Sequence, residues 1–127
     1  MIVLGASALL ALLNQEPGWH RVASALVDDD ATISAVNDAE VLQKAARVGV
    51  PAEAVDAQID GLGVTVSPFG RLNARLAASL YRHQSGLSLA DRVCLGLARS
   101  LASPAYAADR LWESWAIEFG VQAVLIR

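Results

Sequence analysis

Three acidic residues, Glu40, Asp91 and Asp109, lie beside short apolar runs that read as β-strands. Glu40 falls in the second turn of the helix after the second run, Asp91 begins the helix leading into the fourth, and Asp109 directly follows the fourth. In open parallel sheets, ligands collect outside the carboxyl ends of the strands, so acids at these places can meet although they are far apart in sequence. Carboxylates dispersed in this way suit a hard divalent cation such as Mg2+ or Mn2+, which takes oxygen ligands, keeps several waters and accepts phosphate oxygens. The corresponding chemistry is metal-assisted phosphodiester hydrolysis.

Each acid also has a purely structural explanation. Glu40 precedes Lys44 by four residues, the favourable order for an exposed helical ion pair. Asp91 follows Ser88 by three, a variant of the capping box, and an acid in a first turn complements the helix dipole. Asp109 could simply cap the helix after it. Asp91, Cys94, Ala98 and Leu101 share one helical face, so Asp91 heads a mainly apolar stripe, where a carboxylate needs a partner or a metal.

The elements that would position these acids alternate along the chain. Ile2 to Leu4 reads as a strand that passes through Gly5 into a helix, and Pro17 can open a second helix running to Asp28-Asp29-Asp30. Ala31 to Ser34 is a second strand candidate, and the helix after it places Val36, Ala39, Leu42 and Ala46 at helical spacing. PAEAVDAQIDGL is a further helix, followed by a strand at Val64 to Ser67. Helices are expected from Phe69 to about His83 and over GLSLADRVCLGLARSLA, then a strand at Ala105 to Ala107, a short helix in ADRLWESW and a last strand within Val121 to Ile126. This alternation predicts an α/β/α sandwich with a mainly parallel sheet of four to five strands.

With 127 residues and 54% hydrophobic content, the chain suits a single domain spanning residues 1–127. Thirteen acidic against ten basic residues give a net charge of -3, which argues against nucleic-acid binding by bulk positive charge. One cysteine, Cys94, allows no internal disulfide and no zinc-ligand spacing, and fits a reducing cytoplasm. Ile2 to Leu13 is long and apolar enough for a signal-peptide core, but no Lys or Arg precedes Arg21, so it is read as buried strand plus helix and no membrane association is expected. No GxGxxG or GxxxxGK[ST] phosphate loop occurs, which weakens the case for an unrelated doubly wound domain binding a small phosphorylated ligand.

The segments MIVLGASALLALLNQEPG, ISAVNDAEVLQKA, GLSLADRVCLGLARSL and AYAADRLWESW, in this order, resemble the PIN-domain ribonucleases, and specifically VapC-type toxins of bacterial toxin-antitoxin pairs. The resemblance covers essentially the whole chain. It implies a cytoplasmic endoribonuclease that cuts single-stranded or looped RNA through an acidic site holding Mg2+ or Mn2+. Matched to the family's motifs, Glu40, Asp91 and Asp109 become the catalytic and metal-binding acids, Ser7 the small hydroxyl residue after the first acid, and Asn37 a polar neighbour of the glutamate. Two positions depart from the pattern: the first acid falls at Gly5, and a threonine before the last acid falls at Ala107. Losing a metal ligand implies a strongly impaired enzyme.

Arg71, Arg75 and Arg82 lie on one side of their expected helix, and Arg92 and Arg110 directly follow proposed ligands. Arg71, Arg75, Arg92 and Arg110 are therefore candidate RNA contacts, with a solvated helix face as the alternative for the first two. The resemblance further implies a VapB-type antitoxin that obstructs the site, and toxin homodimers. Trp19, Trp112 and Trp115 could serve such interfaces or simply fill the core. The alternative to an active toxin is a catalytically inactive PIN-like module that binds RNA or a protein partner.

Overall fold

A computed structural model describes all residues from Met1 to Arg127. In chain order it contains β1 (Ile2–Leu4), α1 (Ala6–Asn14), α2 (Trp19–Asp28), β2 (Ala31–Ser34), α3 (Ala35–Arg47), α4 (Ala52–Gly61), β3 (Val64–Ser67), α5 (Arg71–Ser79), α6 (Leu89–Ser100), β4 (Ala105–Ala107), α7 (Trp112–Phe119) and β5 (Ala123–Leu125). The five strands form one sheet in the order β3-β2-β1-β4-β5, and every neighbouring pair is parallel. From β1 the chain builds outward through β2 to β3, then returns to the other side of β1 for β4 and β5. The strand order therefore reverses between β1 and β4, where an open parallel sheet leaves a crevice at its carboxyl edge.

Side chains of β1 alternate between two cores, as the period of two in a strand requires. Ile2 and Leu4 join the core formed with α1, α2, α3 and α4, which includes Leu9, Val22, Val41, Val55 and Ile59. Val3 joins the opposite core with Cys94, Leu95 and Ala98 of α6 and Trp112, Ala116 and Phe119 of α7. Trp19 and Trp115 pack against the edges of these two cores, so all three tryptophans take part in the packing. The edge strand β3 leaves Thr65 and Val66 exposed, in contrast to the fully buried β1 and β2. No helix is long and apolar enough to cross a membrane.

Two boundaries and one helix face differ from the sequence expectation. Helix α2 starts at Trp19 and not at Pro17, because Gly18 between them has φ of +93° and a Cβ there would collide with the carbonyl of Ile126. That combination requires glycine. Helix α5 ends at Ser79, short of His83. The apolar stripe Val36, Ala39, Leu42 and Ala46 is not the inner face of α3: its buried residues are Asn37, Asp38 and Val41, while Ala39 and Ala46 are exposed.

Asp38 is the unusual member of that face. It is 9% exposed, and burial first and the Asp56 carboxylate second raise its pKa above the usual value. Its Oδ1 has no hydrogen-bond partner. A raised folded-state pKa makes ionised Asp38 unfavourable to folding at neutral pH, with the penalty fading as pH falls through the raised pKa and absent below the unfolded value. Asp38→Asn should therefore stabilise the fold by on the order of 1 kcal/mol at pH 7, with the gain vanishing below about pH 4. Urea melts of both proteins across pH would measure it, and a gain independent of pH would exclude this origin.

Candidate active site

Strand β1 passes into α1 at Gly5, which has φ of -77° and ψ of 166° and serves as N-cap without a side-chain hydrogen bond. Any residue adopts this backbone, and N-caps favour Asp, Asn, Ser and Thr, so conformation does not demand glycine here. The surroundings are close: a Cβ at residue 5 would lie 3.2 Å from Trp112 Cη2 and 3.3 Å from the Tyr106 carbonyl oxygen. Two residues on, Ser7 Oγ accepts a hydrogen bond of 3.0 Å from the backbone N–H of Ala108. This bond ties the start of α1 to the segment that carries Asp109.

A cavity of about 120 Å³ opens at this place, and Gly5, Ser7, Asn37, Glu40, Asp91 and Asp109 all line it. The three acids far apart in sequence thus meet at the reversal point between β1 and β4. Glu40 comes from α3, whose N-cap Ser34 accepts from the N–H of Val36. Asn37, one turn earlier, donates from Nδ2 to Glu40 Oε1 at 3.1 Å and to the Ala90 carbonyl at 3.0 Å. It therefore orients the glutamate and fastens α3 to the first turn of α6. Asp91 and Ser88 form the reciprocal capping box, with Ser88 N–H donating to Asp91 Oδ2 at 2.9 Å and Asp91 N–H to Ser88 Oγ at 3.0 Å. Asp109 Oδ1 accepts from the N–H of Leu111 at 2.9 Å.

The structural explanations for Asp91 and Asp109 are therefore realised, yet both still face the cavity. That for Glu40 is not, since no ion pair joins it to Lys44. Lys44 instead lines the cavity with the acids, and Trp112 forms another part of its wall. Neither was singled out for the site from sequence, although Lys44 lies one helical turn beyond Glu40 and Trp112 three residues beyond Asp109.

The acids share a cavity but do not form a ready-made cage, because no group of three or more acid, His or Cys side chains converges closely enough to hold an ion. One oxygen of Asp91 and one of Asp109 are taken up by backbone N–H groups, and one of Glu40 by Asn37. The second oxygen of each carboxylate receives no hydrogen bond from the protein. The negative fields do converge on Cys94, whose fully buried thiol is pushed up in pKa by burial first and then by Asp91 and Glu40. It is a neutral core group and no nucleophile. Two buried polar atoms on residues of the cavity wall, Asn37 Oδ1 and Trp112 Nε1, have no hydrogen-bond partner. Carboxylate oxygens are the donor type a hard divalent cation takes, although here they share the cavity with Lys44 and are not drawn around one point.

Of the arginines, Arg71, Arg75 and Arg110 are exposed, while Arg92 is committed elsewhere. Its Nη1 donates to the Ala77 carbonyl at 2.9 Å and its guanidinium sits over the Tyr81 ring at 5.4 Å. These contacts give Arg92 a structural task, clamping α6 to α5, beside the RNA contact expected of it. Arg82 packs over Phe119 and pairs with Glu118.

Beside the acid cavity lies a larger groove of about 430 Å³ between α1, α3 and α4. Leu10, Leu13, Val41 and Val55 supply apolar walls, and Ser7 and Lys44 belong to both spaces.

A five-stranded parallel α/β/α sandwich with acids gathered at its carboxyl edge defines the architectural class. The family model of the PIN domain matches residues 2–116, and the chain belongs to the PIN-domain family. Among solved structures, a chain of a toxin-antitoxin complex from Klebsiella pneumoniae is similar with a TM-score of 0.76, covering 100% of this chain and 98% of that one at 14% identity. A chain of VapBC2 from Rickettsia felis, bound to a promoter DNA fragment, gives 0.72 with 98% of both chains covered at 16% identity. VapC20 from Mycobacterium tuberculosis, a sarcin-ricin loop cleaving toxin, gives 0.68 over 90% of this chain and 94% of that one at 23% identity. At these identities the likeness speaks for the fold. No curated protein sequence matches this one.

Proposed function

We propose that this chain is a VapC-like toxin whose acid cavity is that of a Mg2+- or Mn2+-dependent endoribonuclease for single-stranded or looped RNA, impaired by Gly5. The observation that carries this reading is the shared cavity of Glu40, Asp91 and Asp109 at the sheet reversal, with Gly5 on its wall. The three carboxylates would hold the cation, Asn37 orients Glu40, and Ser7 holds the segment bearing Asp109. A divalent cation bound there supplies charge neutralisation on the phosphoryl oxygens and a lower pKa for water. Incubating the purified chain with structured RNA, with Mg2+, Mn2+ or EDTA, tests the reading. Weak cleavage that EDTA abolishes is expected; cleavage indifferent to EDTA would contradict it.

Arg71 and Arg75 are free of salt bridges on α5, next to the helix that carries Asp91, and Arg110 adjoins Asp109. In this reading they meet RNA phosphates. Reversing both Arg71 and Arg75 to Glu should weaken RNA binding roughly tenfold or more at low salt, with a shallower salt dependence. An unchanged affinity would make them a solvated helix face.

The groove beside the cavity suits a VapB-type antitoxin, since a segment lying on Leu10, Leu13 and Val55 reaches the acids past Ser7 and Lys44. A homodimer in the cytoplasm completes the proposal. The second reading, a non-cleaving PIN-like module for RNA or a protein partner, is favoured by Gly5, by Ala107 in place of a hydroxyl residue, and by carboxylates not drawn into a cage. Mn2+ calorimetry separates them, because such a module has no need of the metal.

A further inference from the structure

We infer that Lys44 binds an RNA phosphate at the acid cavity, as the cation that lets a phosphodiester approach Glu40, Asp91 and Asp109. The inference rests on the reading of this chain as an RNA-binding toxin, and it needs no bound metal. Lys44 is the only lysine in a chain with ten Lys and Arg residues. It is also the only basic residue on the wall of the acid cavity, and it lines the larger groove as well. On α3, Asn37, Glu40, Val41 and Lys44 lie at three- and four-residue spacing on one side of the helix, and each lines the cavity or the groove. The side that carries Lys44 therefore fronts both spaces.

The charge of Lys44 is uncommitted. The residue is exposed and takes part in no salt bridge, while Glu40, one turn earlier, is held by Asn37 instead. Three carboxylates around a small space repel a phosphodiester, and like charges interact more strongly there than in open water. One ammonium on the same wall offsets part of that repulsion where the phosphate must come. Lysine suits the task, because it meets phosphate as a compact point charge on a flexible stem. The size of the space agrees. Its volume of about 120 Å³ is well below the roughly 300–1,000 Å³ that enclose a drug-sized ligand, so it admits a phosphate group and leaves the nucleoside outside. A protein group drawn to the same acids would be cationic, and Lys44 opposes its approach.

Binding of a fluorescent single-stranded RNA oligonucleotide, measured by anisotropy in EDTA at low salt, reads the contact without metal or cleavage. Lys44→Met should weaken binding several-fold and lower the slope of log affinity against log salt by roughly 0.7, the share of one phosphate contact. Lys44→Arg keeps the charge and should restore most of the affinity. A measurement without substitution stands beside these. Because Lys44 is the only lysine, reductive methylation with 13C-formaldehyde labels its Nζ and the terminal amine of Met1, at the far end of β1 from the cavity. The RNA should move the Lys44 methyl resonance and leave that of Met1 in place. An unmoved Lys44 resonance at saturating RNA, or unchanged affinity in Lys44→Met, overturns the inference and leaves Lys44 as a charge for a protein partner in the groove. Weakening by Lys44→Arg as large as by Lys44→Met overturns the charge role. Failure of the original chain to bind the RNA either in EDTA or with Mn2+ overturns the RNA reading itself, and the inference with it.

Discussion

Gly5→Asp should raise Mg2+- or Mn2+-dependent RNA cleavage by at least about 10- to 100-fold over the original chain. The backbone at residue 5 already has the extended conformation of an N-cap, so aspartate needs no change of φ and gains N–H groups of α1 as partners. Its side chain would start on the cavity wall, among Glu40, Asp91 and Asp109. The obstacle is space, because a Cβ 3.2 Å from Trp112 Cη2 and 3.3 Å from the Tyr106 carbonyl requires its neighbours to yield by a few tenths of an ångström. Trp112 is 3% exposed and packs in the core with Ala116 and Phe119, so that shift has a stability cost. Activity should therefore rise while the melting temperature falls modestly. If crowding limits the gain, Trp112→Phe in the Gly5→Asp background should release it. A restored aspartate without added activity, in a variant that still melts cooperatively, would show that the missing carboxylate is not what limits this chain.

Glu40→Gln tests the same site from the opposite wall. Glutamine keeps the size of the side chain and an oxygen that can accept from Asn37, but removes the negative charge. Metal affinity should fall by about 10- to 100-fold, and residual RNA cleavage should become undetectable. Stability without metal should change by less than about 1 kcal/mol, since Glu40 is only partly buried and forms no salt bridge. Calorimetry with Mn2+ and a urea melt in EDTA measure the two effects separately. Equal Mn2+ affinity in both proteins would remove Glu40 from the ligand set.

The parallel sandwich was legible because its central strands are short apolar runs separated by helices with clear start and stop signals. Ile2–Leu4, Ala31–Ser34, Val64–Ser67 and Ala105–Ala107 fall where the pattern put them. The inner face of α3 was not legible from apolar spacing, and the reason is local. Where the helix borders the cavity its buried face carries Asn37 and Asp38, so the usual periodicity is inverted beside the site. The same blind spot hid Lys44, whose spacing from Glu40 suggested a surface ion pair, although both side chains line the cavity. Arg92 shows the converse. Its neighbour Asp91 faces the cavity, but the next position on a helix points about 100° away, and there Arg92 meets Ala77 and Tyr81. For Arg92, adjacency to a candidate ligand did not by itself show where the side chain points.

Gly5 illustrates what the structure adds to a sequence pattern. As a letter, glycine between a strand and a helix is unremarkable. At φ of -77° the backbone does not require it, and the cavity beside it is lined by three acids. In the function proposed above it stands for an absent side chain, while Trp112 and the Tyr106 carbonyl leave a Cβ there little room.

The most direct measurement is a Mn2+ titration of the original chain, Gly5→Asp and Gly5→Asp with Asp91→Asn. A three-acid site completed by a fourth predicts weak binding in the first, binding at least about tenfold tighter in the second, and a return to weak binding in the third. Equal affinity across all three, or no binding in any, would contradict the account.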